Sequence, residues 1–155
     1  MQSSYSSHIV WTGNTGAGTA DYESYARTWD ISVPGKRVIH CSNDPLLGGD
    51  AGKMNPEDLL LSSLSACHML WYLHYASDAG IMVLAYEDEP LGIGEVMPGG
   101  AGRFISAVLR PNIIVRADCD LNMAAELHGR IHSVCFIARS VNFPIAYEPV
   151  ISVAQ

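Results

Sequence analysis

The chain has 155 residues, of which 48% are hydrophobic and 16% are charged, and its formal net charge is −7. This length predicts one domain over residues 1–155, and the negative charge argues against nucleic acid as a main partner. No run of about 18 purely apolar residues is present, so no membrane span is predicted. The N-terminus shows no basic stretch followed by an apolar one, so no signal peptide is expected. Four cysteines without secretory context therefore predict reduced thiols in the cytoplasm.

The first third of the chain is predicted to form strands followed by a loop. A short strand is expected at residues 8–11, a longer one at 22–33 and a third at 37–41. Residues 42–54 are rich in proline, glycine and aspartate. This composition predicts a loop, and its length favours a functional loop over a simple connector.

One cation interrupts the apolar side of the second strand. Successive residues of a strand point to opposite faces, so every second residue of 22–33 shares a face with Arg27. That face also holds Tyr25, Trp29 and Ile31. Two interpretations are open: an edge arginine whose head group reaches water, or a buried cation reserved for an anion.

Residues 55–80 are predicted to form one long helix around which the rest of the chain is organised. Asn55 is a suitable N-cap and Pro56 a suitable first residue. Glu57 begins an acidic pair at the positive end of the helix dipole, and Gly80 is expected to end the helix. At about 1.5 Å per residue, the helix is on the order of 35 Å long. Apolar residues cover nearly all of its faces, so it is expected to be buried on most sides.

The sheet is predicted to resume after this helix. Strands are expected at 82–89, 91–96, 104–115 and 145–153. Pro111 inside the third of these fits an edge strand or a bulge, and Pro149 is a candidate break in the last. Before the last strand, a second apolar helix is expected from a cap in 118–122 to about residue 141. This order predicts an α+β domain with an antiparallel sheet.

Two of the four cysteines are candidates for a reactive pair. Cys67 and Cys135 are each predicted in the middle of a helix, where a single free cysteine most often packs as a small hydrophobic residue. Packed helices lie about 8–10 Å apart, so facing cysteines at their crossing reach the Cα separation of about 4.4–6.8 Å that a disulfide needs. Cys41 and Cys119 are expected to be inert.

The histidines offer a metal site as a competing interpretation. His128, His132 and Cys135 are spaced by four and three residues, so they share one face of the predicted second helix, and His68 and His74 lie on the first. A zinc site built from these ligands is geometrically possible. The spacing is common by chance and no CxxC pair supports it, so we expect hydrogen-bonded histidines, with no metal and no cofactor.

Two motifs resemble the OsmC/Ohr family of thiol peroxidases. The first is NPEDLLL at 55–61 followed by SACH at 65–68, and the second is the pair of histidines and the cysteine ahead of SVNFP at 140–144. They occur at the separation typical of that family, and the order of elements matches along nearly the whole chain. The chain is most similar to the OsmC-like branch.

The resemblance implies a fold, an activity and a site. The family forms intertwined homodimers in which an antiparallel sheet wraps around central helices, and its members reduce hydroperoxides, organic ones especially. Carried over, Cys67 is the peroxidatic cysteine and Cys135 the resolving one, while Arg27 and Glu57 match the active-site arginine and glutamate. An external dithiol such as a lipoyl group restores the cysteine pair. Cys67 lies far from the N-terminus of its helix, so the dipole stabilises its thiolate little, and Arg27 is the candidate cation.

Helix geometry adds an expectation about assembly. Glu57 and Cys67 are ten residues apart, or about 15 Å along the helix axis, so one straight helix does not readily supply both ends of a relay through Arg27. We therefore expect a homodimer in which one chain supplies the cysteines and the other supplies Arg27 and Glu57. The alternative function is a non-catalytic module that binds a lipid-like ligand in an apolar pocket around Trp71.

Overall fold

The computed structural model describes residues 2–155 and has the predicted mixed α+β class, with several sheets and few helices. Its helices are α1 (Pro56–Asp78), α2 (Leu121–Glu126) and α3 (His128–Ile131). Its strands are β1 (His8–Trp11), β2 (Thr28–Ser32), β3 (Ile39–Ser42), β4 (Val83–Asp88), β5 (Leu91–Val96), β6 (Gly102–Leu109), β7 (Pro111–Val115), β8 (Ile145–Tyr147) and β9 (Val150–Val153).

The described chain divides into two compact units. The first ends at Leu59 and the second runs from Leu60 to Gln155, so the boundary falls within α1. The expectation of one domain over residues 1–155 stays a prediction. Within residues 2–155, no helix combines the length and the apolar character that crossing a membrane requires.

The first unit contains a three-stranded antiparallel sheet with β2 between β1 and β3. The strand predicted at 22–33 is wrong in its first half, because β2 begins only at Thr28. The preceding residues form turns, in which the carboxylate of Asp21 accepts from the backbone N–H of Glu23 at 2.9 Å. Short polar side chains that satisfy the backbone locally compete with a strand ladder, and the alternation of apolar residues does not reveal this competition.

Helix α1 is fixed at both ends by capping interactions. The side-chain oxygen of Asn55 accepts from the N–H of Asp58 at 2.7 Å, and the carboxylate of Asp58 accepts from the N–H of Asn55 at 3.1 Å, which forms a reciprocal capping box. At the other end, Gly80 has a φ of 72°, and the N–H of Ile81 donates to the carbonyl of Ala76 at 2.8 Å. This is a Schellman motif, and both caps lie where the sequence places them.

The burial of α1 is narrower than predicted. Its buried residues recur at every fourth position and form a single stripe: Leu64, His68, Tyr72 and Ala76. Leu60 is 37% exposed and Leu70 is 62% exposed, so the expectation that this helix is buried on most sides is wrong for one chain. Apolar residues at the remaining positions of the helix are therefore only partly covered by their own chain.

The second unit contains two further three-stranded sheets, in the orders β4–β7–β9 and β5–β6–β8. The pairs β6–β8 and β7–β9 are parallel, so the expectation of a purely antiparallel sheet is wrong. The strand predicted at 104–115 is divided at Pro111, which has no N–H to donate, and the N–H of Arg110 donates to the Asp88 carboxylate at 2.7 Å. The closing strand is divided at Glu148–Pro149 in the same way, so β6 and β8 share one sheet and β7 and β9 the other.

The second predicted helix is also divided. Asp120 caps α2 through the N–H groups of Asn122 and Met123, but regular helix ends at Ile131 and Cys135 lies in an irregular turn. The hydroxyl of Ser133 donates to the carbonyl of Arg130 at 2.9 Å, and such local hydrogen bonds offer the backbone an alternative to the helix. The expectation of a mid-helix position for Cys135 is therefore wrong.

The core of the second unit joins α1, the two sheets and the segment that follows β7. Its members are apolar and nearly inaccessible to solvent: Leu64, Tyr72, Ala76, Ile81, Ala107, Leu109, Ile113, Val115, Ala124, Leu127, Ile131, Cys135 and Ala138. Cys67 and Tyr147 are partly buried residues that pack against this core. One cysteine therefore lies within the core and the other at its edge.

Candidate dithiol site

The structure brings Cys67 and Cys135 together. Their sulfur atoms lie 2.8 Å apart, and both are free thiols. Cys67 is held in the middle of α1, whereas the irregular turn that carries Cys135 is fixed by its own buried residues Ile131 and Ala138. A disulfide needs a separation of about 2.0 Å between the sulfur atoms, so a small displacement suffices to form the bond.

The two thiols have unequal surroundings. Cys135 is 0% exposed, and burial, followed by its hydrogen bond to Cys67, raises its pKa to about 11. The Cys135 thiol therefore stays protonated at neutral pH, and its S–H donates a hydrogen bond to the Cys67 sulfur. Cys67 is only partly buried, so it is the cysteine of the pair that an external reagent reaches first.

A pair of buried histidines lies beside the cysteines. His68 follows Cys67 on α1, and its Nε2 lies 2.8 Å from Nδ1 of His128 on α3. The two residues are 1% and 4% exposed. Burial lowers the pKa of each to about 4, so both rings are neutral at pH 7 and one donates a hydrogen bond to the other. Their outer nitrogens, His68 Nδ1 and His128 Nε2, are buried without a hydrogen-bond partner in the described structure.

Aromatic rings enclose this pair on both sides. Tyr147 stacks on His68 with ring centroids 4.6 Å apart, and Tyr72 stacks on His128 at 4.4 Å. The hydroxyl of Tyr147 lies 3.2 Å from Nδ1 of the exposed His132. The predicted zinc alternative lacks its basis, because His128, His132 and Cys135 do not share a continuous helix. Within residues 2–155, no group of three or more metal-binding side chains converges.

Arg27 belongs to the first unit and lies just before β2. Its guanidinium carbon lies 3.9 Å above the ring of Tyr22 and 4.8 Å from that of Tyr25. Its nitrogens donate to the carbonyls of the same two residues, at 2.7 and 3.2 Å. It forms no ion pair with any carboxylate among residues 2–155. Arg27 is thus a partly buried cation that is held by aromatic rings and carbonyls.

Three further residues singled out by the sequence are Glu57, Cys41 and Cys119. Glu57 is exposed in the first turn of α1, within the first unit. Cys41 is 0% exposed, and burial raises the pKa of its thiol. Cys119 is partly buried, and its sulfur accepts from the N–H of Met82 at 3.3 Å. Within the described part of the second unit, Cys119 forms no hydrogen bond with the cysteine pair.

Two structural features near the site are not predicted from the sequence. The first is the facing of His68 and His128, which only the folded arrangement of α1 and α3 creates. The second is Asp88, whose carboxylate accepts from the Ser65 hydroxyl at 2.5 Å and from the Arg110 N–H at 2.7 Å. This carboxylate ties α1, two residues before Cys67, to the strand boundary at Pro111. A surface cavity of about 280 Å³ lies beside it, lined in part by Ser62, Met69 and Tyr86.

Trp71 lines neither of two surface cavities of the second unit. The one beside Asp88 and another of about 370 Å³ near Leu73 and Met82 are both lined by other residues. Trp71 instead packs against Tyr75, with ring centroids 5.5 Å apart. These two cavities and the packing of Trp71 give no support, among residues 2–155, to the lipid-binding alternative.

Two free thiols in contact, one buried and one partly buried in a mixed α+β unit, define a protein with a paired-cysteine site. Residues 48–149 match the family model described as OsmC-like protein. The chain belongs to the OsmC-like family.

Solved structures support the same assignment. An OsmC-like protein of unknown function from Vibrio cholerae has a TM-score of 0.85 and 25% identity, over 96% of this chain and 100% of that one. An organic hydroperoxide resistance protein from Legionella pneumophila has a TM-score of 0.67 and 17% identity, over 97% and 99%. One from Elizabethkingia anophelis, with thiocyanate bound, has a TM-score of 0.68 and 18% identity, over 99% and 100%. The last two show similarity of fold. No curated protein matches this chain.

Proposed function

We propose that this protein is a thiol-dependent peroxidase that reduces organic hydroperoxides, with Cys67 as the peroxidatic cysteine and Cys135 as the resolving one. The observation that carries this proposal is the 2.8 Å contact between their sulfur atoms. The unequal burial of the two thiols supports the assignment of roles, because the accessible sulfur meets the substrate and the buried one meets only its neighbour. The names of the Legionella and Elizabethkingia proteins are consistent with this substrate class.

The reaction proceeds in three balanced steps. The Cys67 thiolate attacks the distal oxygen of the hydroperoxide, the O–O bond breaks, and an alcohol leaves after taking a proton, so Cys67 becomes a sulfenic acid. The Cys135 sulfur then attacks the Cys67 sulfur, and water leaves with the Cys135 proton, which gives a disulfide. An external dithiol reduces this disulfide by two exchange steps and is itself oxidised.

The buried Cys135 thiol has a direct part in the second step. With its pKa raised to about 11, it does not compete with Cys67 for peroxide, since the thiolate is the nucleophile. Its proton is available for the hydroxyl that leaves the sulfenic acid. The order of the two cysteines in the reaction thus follows from burial.

Arg27 and Glu57 are proposed to complete the site. The planar guanidinium of Arg27 suits an anion or a developing oxyanion better than an ammonium group does, and Glu57 would orient it. We further propose a homodimer in which a partner chain supplies these two residues. The proposed reductant is a dithiol such as a lipoyl group, and the proposed location of the protein is the cytoplasm. The exposed Leu60 and Leu70 on α1 are consistent with an apolar interface.

The test is consumption of an organic hydroperoxide, such as cumene hydroperoxide, with a dithiol in excess. Wild-type protein is expected to turn over many times, and Cys67→Ser is expected to lose all activity above background. Cys119→Ser is the matched control, because it removes a partly buried thiol that does not contact the pair. Multi-turnover activity of Cys67→Ser equal to that of wild type would falsify the proposal.

A further inference from the structure

The hydrogen bond between His68 and His128 is a second side-chain hydrogen bond between the two segments that carry the cysteines, beside the one between the thiols. His68 follows Cys67 directly on α1, and His128 precedes Cys135 by seven positions in the chain. The sulfur–sulfur contact and the nitrogen–nitrogen contact both measure 2.8 Å. Apolar packing joins the same segments, and a directional hydrogen bond adds a geometric constraint that packing does not supply, because its strength depends on distance and angle.

Such a second hydrogen bond matters here because Cys135 does not lie on a regular helix. Between Ile131 and the 3-10 turn at Ala138–Ser140, the chain passes through irregular turns. Its position depends on the residues that anchor this segment in the core. His128 is the buried polar anchor among them, and its partner is the residue next to the peroxidatic cysteine.

Burying this histidine pair in the core is energetically unfavourable compared with burying apolar side chains. Each neutral imidazole has one nitrogen in the shared hydrogen bond and another that is buried without a partner. A buried polar atom without a partner destabilises the folded state, whereas an apolar pair of similar shape is close to neutral. Packing alone therefore does not account for two histidines at this place.

We propose that His68 and His128 are positioning residues for the second step of the reaction. They hold the Cys135 sulfur within reach of the Cys67 sulfur, so that the sulfenic acid is converted to the disulfide before a second peroxide attacks it. The first step takes place between Cys67 and the peroxide, with Arg27 and Glu57 in their proposed roles, and does not require the second thiol to be held in place. This inference rests on the proposed function, but the positioning itself is measurable without peroxide.

The experiment uses substitutions that separate the hydrogen bond from the packing. His128→Leu keeps a side chain of similar size and removes the hydrogen bond, whereas His128→Asn keeps a polar atom near the position of Nδ1. His74→Leu is the matched control, since His74 lies on α1 but is exposed. The double variant His68→Leu/His128→Leu leaves no unpaired imidazole and carries the test if His128→Leu does not fold.

The first measurement is the equilibrium between the Cys67–Cys135 disulfide and the dithiol in glutathione redox buffers. We expect His128→Leu, or the double variant, to form the disulfide about tenfold less favourably than wild type, which equals about 30 mV for a two-electron couple. His128→Asn is expected to recover most of this loss, and His74→Leu to match wild type. A purely structural role would destabilise both redox forms equally and leave this equilibrium unchanged.

The second measurement follows one equivalent of cumene hydroperoxide without added dithiol. In His128→Leu, loss of the Cys67 thiol is expected at the wild-type rate, disulfide formation about tenfold slower, and sulfinic acid when peroxide is in excess. A folded leucine variant with the wild-type equilibrium overturns the inference, and so does a lack of recovery in His128→Asn. If wild-type protein consumes no hydroperoxide, the proposed function fails, yet the equilibrium in glutathione still decides whether the histidines position the cysteines.

Discussion

Cys67 and Cys135 are 68 positions apart in the chain, yet their sulfur atoms lie 2.8 Å from each other. One is held by the hydrogen-bond ladder of α1, and the other by an irregular turn anchored in the core. The buried thiol keeps its proton and the accessible one accepts the hydrogen bond. The contact is therefore asymmetric, and this asymmetry leads to distinct expectations for the two cysteines.

Substitution of the buried cysteine is expected to stop the reaction after one turnover. In Cys135→Ser, Cys67 still reacts with hydroperoxide, but no thiol is present to convert its sulfenic acid to a disulfide. One equivalent of peroxide should be consumed, a dimedone adduct should form on Cys67, and excess peroxide should give sulfinic acid by mass spectrometry. Sustained turnover of Cys135→Ser with a dithiol, at the rate of the Cys119→Ser control, would show that Cys135 is not the resolving thiol.

The histidine pair predicts how stability depends on pH. The folded pKa of His68 and of His128 is lowered from 6.5 to about 4, so below pH 6.5 the unfolded chain binds more protons than the folded one. The stabilisation is complete above pH 6.5 and is lost progressively as the pH falls toward 4, by up to about 3 kcal/mol for each histidine. Urea unfolding at several pH values measures this slope.

The matched variant for this slope is the double substitution His68→Gln/His128→Asn. Neither new side chain titrates between pH 4 and 7, so its free energy of unfolding should fall less steeply than that of wild type over this range. The other four histidines contribute equally to both proteins. Equal slopes for the two proteins would mean that the buried imidazoles accept protons in the folded state.

The arginine at position 27 is predicted to need its planar head group. Arg27→Lys keeps the charge, but an ammonium group does not reproduce the paired donors of a guanidinium. If Arg27 stabilises an oxyanion, kcat/KM for cumene hydroperoxide should fall about 10- to 100-fold. Arg37→Lys, at an exposed position of the same unit, should retain wild-type activity. A lysine variant that reacts as fast as wild type would assign Arg27 a structural role.

The proposal that two chains share each site predicts complementation. Cys67→Ser and Arg27→Ala are each expected to be inactive, but a heterodimer of the two would contain one intact site. Random assortment of equal amounts makes half of the dimers heterodimers, so about a quarter of wild-type activity should return after co-refolding. Verified heterodimers without activity would contradict shared sites, and a folded monomer at micromolar concentration would contradict the dimer.

Local signals in the sequence determined the ends of α1 and the places where strands break. Asn55 and Gly80 cap the helix through side-chain and backbone geometry that involves only near neighbours. Pro111 and Pro149 interrupt strands because proline has no N–H for a ladder. The two cysteine motifs, 68 residues apart, likewise pointed to the family and to the paired thiols before any contact was known.

Tertiary structure decided what depends on residues far apart in the chain. The sequence does not specify which strands pair in parallel, since β8 and β9 find their sheets only through packing against β6 and β7. The apolar pattern of the sequence predicts a helix around Cys135, and this prediction is wrong. Local hydrogen bonding by Ser133 and the burial of Ile131 and Ala138 outweigh that pattern. The facing of His68 and His128 arises where α1 meets α3, and burial there keeps both rings neutral.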